Sequence, residues 1–264
     1  MTHIPSIVAG MYGRLEVRDR LHRELEQRSW VLAAWEGGSA AFGRADEFSD
    51  LDLQVLVEDG SVEAALDLVE DVLVTMGGIS HRHRVPEPTS HGHTQVFYRL
   101  EEGAPYFLLD LVVLERSKPG RLLERERHGE PIVLFDRTGE VGAVPIDAAE
   151  HEQVLAARLR RLRETVPLFA DFTDKELRRG NVAGAVAMYH AFLLRPLTEL
   201  LLMLHCPERF DFGLRYTAFD LPPDAAARLE RLWLAGDAGA IAAGAAEART
   251  WIAGTFDALA AAGR

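Results

Sequence analysis

Hydrophobic and polar positions recur with two different periods along this chain, and the period changes near residue 145. Before that point, short apolar or alternating runs typical of β-strands are mixed with amphipathic helical segments. After it, Ala, Leu, Arg and Glu recur with helical spacing, and no run favours a strand. The pattern predicts an α+β protein, in which a small mixed β-sheet flanked by helices is followed by an all-α helical bundle.

The two hydrophobic periods predict the following helices and strands. In the first part, a helix is expected over 14–28, with Leu15, Leu21 and Leu25 on its apolar face, and a second over 61–76, with Ser61 as N-cap and Gly77-Gly78 as its end. Strands are expected over 30–35, 51–57, 79–85, 94–100 and 106–114, the last two forming a hairpin. In the second part, helices are expected over 148–170, 181–204, 224–235 and 238–262. Turn-forming residues in 136–145 predict a boundary between domains at 1–140 and 146–264.

Composition narrows the class of protein. The chain has 264 residues, of which 48% are hydrophobic and 27% charged, a balance typical of a folded globular protein. A single cysteine, Cys206, excludes an internal disulfide and leaves too few ligands for a Cys-based zinc site. No apolar run is long enough for a membrane span, and the start, MTHIPSIVAG, does not resemble a secretory leader, so we expect a cytoplasmic protein without a membrane partner.

Net charge is −12 and is uneven. Residues 1–146 carry 15 Lys and Arg against 25 Asp and Glu, whereas residues 147–264 carry 14 against 16. Because binding to a nucleic-acid backbone depends on clustered cations, the acidic first part disfavours a long nucleic acid as partner. A metal ion or a cationic substrate suits it better.

Three carboxylates carry the candidate chemistry. Asp50 and Asp52 are two residues apart on a predicted strand, so their side chains leave the same face. Asp110 lies within the apolar run YFLLDLVVL, where an unpaired carboxylate would cost several kcal/mol. An acidic turn explains a bare DxD, and an arginine or water explains Asp110, but a shared metal explains all three acids together. Hard oxygen ligands favour Mg²⁺.

A possible anion site precedes these acids. Gly38-Ser39 directly follows the first predicted strand and opens a short helix over 40–43. Glycine allows close approach of a ligand to the backbone, and N–H groups at a helix start favour an anion.

The order Gly38-Ser39, then Ser49-Asp50-Leu51-Asp52-Leu53, then a lone acid at Asp110 on a later strand resembles the DNA polymerase beta-like nucleotidyltransferase superfamily. Small bacterial aminoglycoside and lincosamide nucleotidyltransferases are similar in having a helical domain after the catalytic one. The resemblance covers roughly residues 14–114, where the specific motifs lie, and the helical part is similar only in general character.

The resemblance implies transfer of AMP from ATP to a hydroxyl of a small molecule, with release of pyrophosphate. Asp50 and Asp52 would hold two Mg²⁺ ions, with Asp110 helping to hold the second. Gly38 and Ser39 would bind the β- and γ-phosphates, and Ser49 belongs to the nucleotide-binding motif. Arg44 either reaches a phosphate or pairs with Asp46 or Glu47 on a solvated loop, and both interpretations stay open.

Other functions and residues remain alternatives. The chain is also interpretable as a protein-adenylylating enzyme of antitoxin type, or as a catalytically silent nucleotide-binding module. Glu87 and His93 are both candidates for the general base. Two HxH pairs are formed by His81, His83, His91 and His93. These histidines either bind zinc or line the rim of a cleft. In the helical part, Tyr189, His190 and Arg195 either contact a nucleotide or belong to the core, with Arg195 paired to Glu199. Neither the acceptor nor the oligomeric state is indicated.

Overall fold

The computed structural model describes residues 12–264, so the opening segment MTHIPSIVAG lies outside the described part. The chain divides into two compact units, one ending at Pro145 and the other spanning Ile146–Arg264. Each unit is described by itself.

The first unit is built on a mixed sheet of six strands. The strands are β1 (Val31–Glu36), β2 (Leu51–Val57), β3 (Ile79–Arg84), β4 (Thr94–Leu100), β5 (Leu109–Glu115) and β6 (Ile132–Asp136). The helices are α1 (Arg14–Glu26), α2 (Gly38–Ala41), α3 (Val62–Thr75) and α4 (Arg125–His128). The strand order is β3-β4-β5-β2-β1-β6, with β2 and β5 parallel and the other neighbours antiparallel. The predicted α+β class is confirmed.

The two faces of this sheet differ. Because side chains alternate along a strand, Leu51, Leu53, Val55 and Val57 of β2 all point to one face, where they belong to the same buried cluster as residues of α1 and α3. Burial of each such side chain contributes about 1.5–3 kcal/mol. The opposite face carries a smaller apolar cluster of Leu32, Ala33, Trp35, Leu56, Val112, Leu114 and Leu123. Polar residues extend from this smaller cluster and form the candidate site.

Three details of the first unit differ from the prediction. The buried face of α1 contains Val17 with Leu21 and Leu25, whereas Leu15 is 47% exposed, because a stripe at spacing four runs through residue 17. Ser61 stands before α3 without a side-chain capping hydrogen bond. Strand β5 begins at Leu109 rather than 106, since Tyr106 has φ +67°, which an extended strand does not accommodate.

The last residue of β1, Glu36, is a buried carboxylate. Glu36 is fully buried and accepts hydrogen bonds from the guanidinium groups of Arg14 and Arg18, both in α1. These two contacts connect the helix to the end of the strand and compensate for the desolvation of the carboxylate.

We expect Arg14→Met to destabilise the protein by about 3 kcal/mol, because it leaves a buried charge with one weaker partner. Arg20→Met on the same helix removes a partly exposed pair with Glu24 at 3.7 Å and should cost less than about 0.5 kcal/mol. Urea unfolding of both variants measures the difference. Equal losses would contradict the role assigned to Arg14.

The second unit is helical. Its helices are α5 (Ala148–Phe169), α6 (Phe172–Arg178), α7 (Val182–Tyr189), α8 (Arg195–His205), α9 (Thr217–Asp220), α10 (Pro223–Trp233) and α11 (Ala238–Ala261). A π-helical turn at His190–Leu194 joins α7 to α8, so that helical structure continues from Val182 to His205. The helices enclose one apolar core, and Leu155, Leu159 and Leu162 of α5 point into it.

The continuous helical stretch Val182–His205 is long and apolar enough, by length and composition, to cross a membrane. Of its most apolar window, 56% is buried, and a core helix meets the same criteria. It is therefore weak evidence for a span.

Contacts in the helical unit decide several open interpretations. Tyr189 is fully buried and donates its hydroxyl proton to the Leu232 carbonyl oxygen at 3.1 Å, so it belongs to the core. Glu199 pairs with Arg158 through two hydrogen bonds of 2.6 and 2.8 Å, rather than with Arg195 at i+4. Helix α6, which the sequence pattern did not indicate, is short and carries mainly charged residues.

Candidate active site

Parallel pairing of β2 and β5 brings two of the predicted acids side by side. Asp52 and Asp110 are direct register partners, 58 positions apart in sequence. Neighbouring strands lie about 4.8 Å apart, and register partners in a parallel pair point to the same face. Both residues are half-buried, at the end of the apolar cluster that contains Val112 and Leu56.

Asp50 stands just before β2, two residues ahead of Asp52. The N–H of Leu51 donates to the Leu108 carbonyl oxygen at 2.9 Å, so the beginnings of β2 and β5 are also held together. The three acids therefore lie on or beside two adjacent strand starts. Their roles as ligands are taken up below as a proposal.

Two glycines, Gly37 and Gly38, lie against side chains of β2 at this site. Gly38 has φ +57°, and a Cβ there would overlap the carboxylate of Asp52. A Cβ at Gly37 would lie 3.0 Å from the Gln54 side-chain oxygen, and the Gly37 N–H donates to the Asp52 carbonyl oxygen at 2.9 Å. The segment from β1 into α2 therefore passes directly over Asp52, and only glycine fits at Gly38.

The remaining predicted nucleotide-binding residues lie in the segment between β1 and β2. Ser39 is in α2, and its carbonyl oxygen accepts the Arg44 N–H at 2.9 Å. The Arg44 guanidinium lies 5.1 Å from the centre of the Phe42 ring. The Ser49 hydroxyl donates to Asp46 Oδ1 at 3.0 Å and accepts the Asp46 N–H at 2.8 Å, so it stabilises the loop ahead of Asp50.

Gln95, on β4, is a site residue that the sequence analysis missed. Its side-chain amide donates to both oxygens of Asp110, at 2.8 and 3.0 Å. The pairing of β4 with β5 sets Gln95 opposite Val112 and Phe97 opposite Asp110, so Gln95 reaches Asp110 diagonally across the hairpin. The alternation in TQVFYRL, combined with the predicted hairpin, was the signal that would have found it.

Neither candidate general base is well placed for that role. His93 is only 2% exposed, its Nε2 lies 3.2 Å from the Gly120 carbonyl oxygen, and burial together with nearby His91 lowers its pKa. The Glu87 carboxylate accepts hydrogen bonds from Thr94 and Arg84, which lower its pKa. A weaker base results in both cases.

The histidine pairs do not form a metal centre. Among residues 12–264, no group of three or more His, Cys, Asp or Glu side chains is arranged to hold a metal ion. His83 instead stacks against Phe97 at 6.4 Å, and His91 against His93 at 5.7 Å.

The absence of such a group among the described residues also applies to Asp50, Asp52 and Asp110. A complete protein cage is not what Mg²⁺ needs, because this ion is usually held by one or two carboxylates together with substrate phosphates and water. Asp52 and Asp110 supply two adjacent carboxylates, and the absence of a side chain at Gly38 lets the Asp52 carboxylate lie where a Cβ would stand. The donor set therefore fits Mg²⁺ that arrives with a nucleotide.

Comparisons with known proteins add little to this geometry. No protein-family model matches the chain, and a search of curated proteins gives no match. Among solved structures, the crystal structure of an aminoglycoside 6-adenyltransferase from Bacillus subtilis matches 95% of this chain and 92% of that chain. Identity is 11% and the TM-score 0.32, so this likeness establishes neither a family nor a substrate.

Proposed function

We propose that this protein is a Mg²⁺-dependent nucleotidyltransferase that transfers AMP from ATP to a hydroxyl group of a small molecule and releases pyrophosphate. The observation that supports it most is the in-register pair Asp52 and Asp110 on parallel strands, with Gly38 packed against the Asp52 carboxylate. Two like charges at this separation repel unless a cation lies between them.

In the proposed reaction, Asp52 and Asp110 would hold two Mg²⁺ ions together with Asp50. When bound, the ions neutralise the triphosphate and lower the pKa of an attacking hydroxyl. The Gly38 backbone and the Ser39 hydroxyl would bind phosphate oxygens of the triphosphate. Arg44 offers a further positive charge from the segment between β1 and β2. Catalysis is then mainly alignment and charge neutralisation.

The acceptor is proposed from charge alone. Residues 1–146 carry ten more acidic than basic side chains, which favours a cationic, hydroxyl-bearing compound over an anionic one. The choice of ATP among nucleoside triphosphates follows the family resemblance.

A screen of hydroxylated compounds for ATP-dependent pyrophosphate release tests this function. Label transferred from α-labelled ATP to a small molecule, and lost in Asp52→Asn, would support it. Label on a co-purified protein would favour the protein-adenylylating alternative. Tight binding of Mg-ATP without any product would favour a silent nucleotide-binding module.

Ser39→Ala should weaken Mg-ATP binding by about ten- to a hundredfold, because it removes one hydrogen bond to an anion, worth about 1.5–3 kcal/mol. AMP binding should hardly change, since AMP lacks the β- and γ-phosphates. Isothermal titration with both nucleotides measures this difference. Equal weakening of ATP and AMP would show that Ser39 does not bind the triphosphate.

A further inference from the structure

The Asp110 carboxylate ends a chain of hydrogen bonds that begins in the loop before β4. The His93 N–H donates to Nδ1 of His91 at 3.2 Å. The Nε2 of His91 lies 3.4 Å from Oε1 of Gln95, and the Gln95 amide nitrogen donates to Asp110. Three half-buried side chains are thus connected in series.

The direction of this chain follows from its first contact. Because Nδ1 of His91 accepts a hydrogen bond from the His93 backbone N–H, a neutral His91 carries its proton on Nε2 and donates a hydrogen bond to Oε1 of Gln95. That contact fixes the amide with its nitrogen toward Asp110. In the flipped orientation, the Gln95 oxygen would face a carboxylate and repel it.

We propose that Gln95 is a positioning residue that holds the Asp110 carboxylate in the orientation used for metal-nucleotide binding, and that His91 fixes the Gln95 amide. The inference rests on the proposed function. A donor bridging both oxygens restricts rotation of the carboxylate and offsets its repulsion from Asp52 while no cation is present. Asp110 is then preorganised, and binding need not restrict its rotation.

The test uses Mn²⁺ with ATP as the probe and isothermal titration as the readout. Gln95→Met keeps the side-chain length but removes both amide groups. We expect its affinity for Mn-ATP to fall about tenfold, with ATP binding in EDTA unchanged. His91→Phe, which keeps the ring against His93, should weaken Mn-ATP about threefold and serves if Gln95→Met does not fold. Gln27→Met, at an exposed glutamine on the first unit, is the matched control and should match the wild type.

A double-mutant cycle separates positioning from a general structural role. If Gln95 acts through Asp110, then Gln95→Met should change Mn-ATP affinity by less than about twofold in an Asp110→Asn background. The same tenfold loss in that background, or no loss in the wild-type background, would overturn the inference while the proposed function stands. A wild type whose ATP affinity does not depend on Mn²⁺ would overturn the proposed function and this inference with it.

Discussion

Asp52→Asn is expected to lower the rate of nucleotidyl transfer by at least about a thousandfold, equivalent to about 4 kcal/mol of transition-state stabilisation. The metal-free variant should be as stable as the wild type or slightly more so. Asp52 and Asp110 are like charges in direct register on neighbouring strands, and replacing one removes their repulsion. Pyrophosphate release measures the rate, and thermal unfolding in EDTA measures the stability.

Asp136→Asn is the contrasting control. Asp136 accepts hydrogen bonds from the backbone of Thr138, Gly139 and Val141 and from the Thr138 hydroxyl, and these bonds lower its pKa. Its replacement should lower the unfolding temperature and leave turnover per folded molecule unchanged. If Asp52→Asn instead behaved like Asp136→Asn, Asp52 would have a structural role and the proposed reaction would lose its main support.

Most strands and helices of the first unit could be predicted from the local sequence. Strand β2 has the predicted bounds, and α3 differs from its prediction by one residue at each end, because strong alternation and the Gly77-Gly78 stop leave little choice. The register of β2 with β5 was not readable. It depends on the whole sheet being assembled, since the two strands are far apart in sequence and joined through β3 and β4.

Strand β6 and helix α6 were not predicted because neither gives a clear periodic pattern. Strand β6 is an edge strand with exposed Ile132 and Val133, so its side chains show no clear alternation between a buried and a solvent face. Helix α6 is only seven residues long, too short for a periodic signal. Both are stabilised by neighbours that the sequence does not identify.

Among the candidate residues, Asp110 stands out in the sequence because a carboxylate within an apolar run is conspicuous, whereas the polar neighbours of the acids do not stand out. Gln95 looks like an ordinary solvent-facing residue of an alternating strand until β4 is paired with β5. Glu36 at the end of β1 reads as a boundary residue, although it is fully buried beside Arg14. Contacts between elements, rather than residue type, determine what these side chains do.

Gly38→Ala is expected to lower Mn-ATP affinity by at least about a hundredfold, a loss of about 3 kcal/mol. The substitution has two effects, of which backbone strain acts on folding and overlap with Asp52 acts on the site. The backbone has φ +57°, where an L-residue costs about 1–2 kcal/mol, and the new methyl group would overlap the Asp52 carboxylate. The carboxylate must then move out of line with Asp110, so the loss should be greater for metal-nucleotide binding than for folding.

Gly43→Ala separates these two effects. Gly43 has a similar φ of +64°, lies in the same segment between β1 and β2, and has no atom within 4 Å of its would-be Cβ. It therefore carries the backbone strain without the overlap. We expect Gly43→Ala to lose about 1–2 kcal/mol of stability in urea unfolding and Gly38→Ala to lose slightly more, but only Gly38→Ala to lose Mn-ATP affinity in isothermal titration. If both variants lost affinity equally, strain in the loop rather than displacement of Asp52 would be responsible, and Asp52 would not be the ligand that Gly38 makes room for.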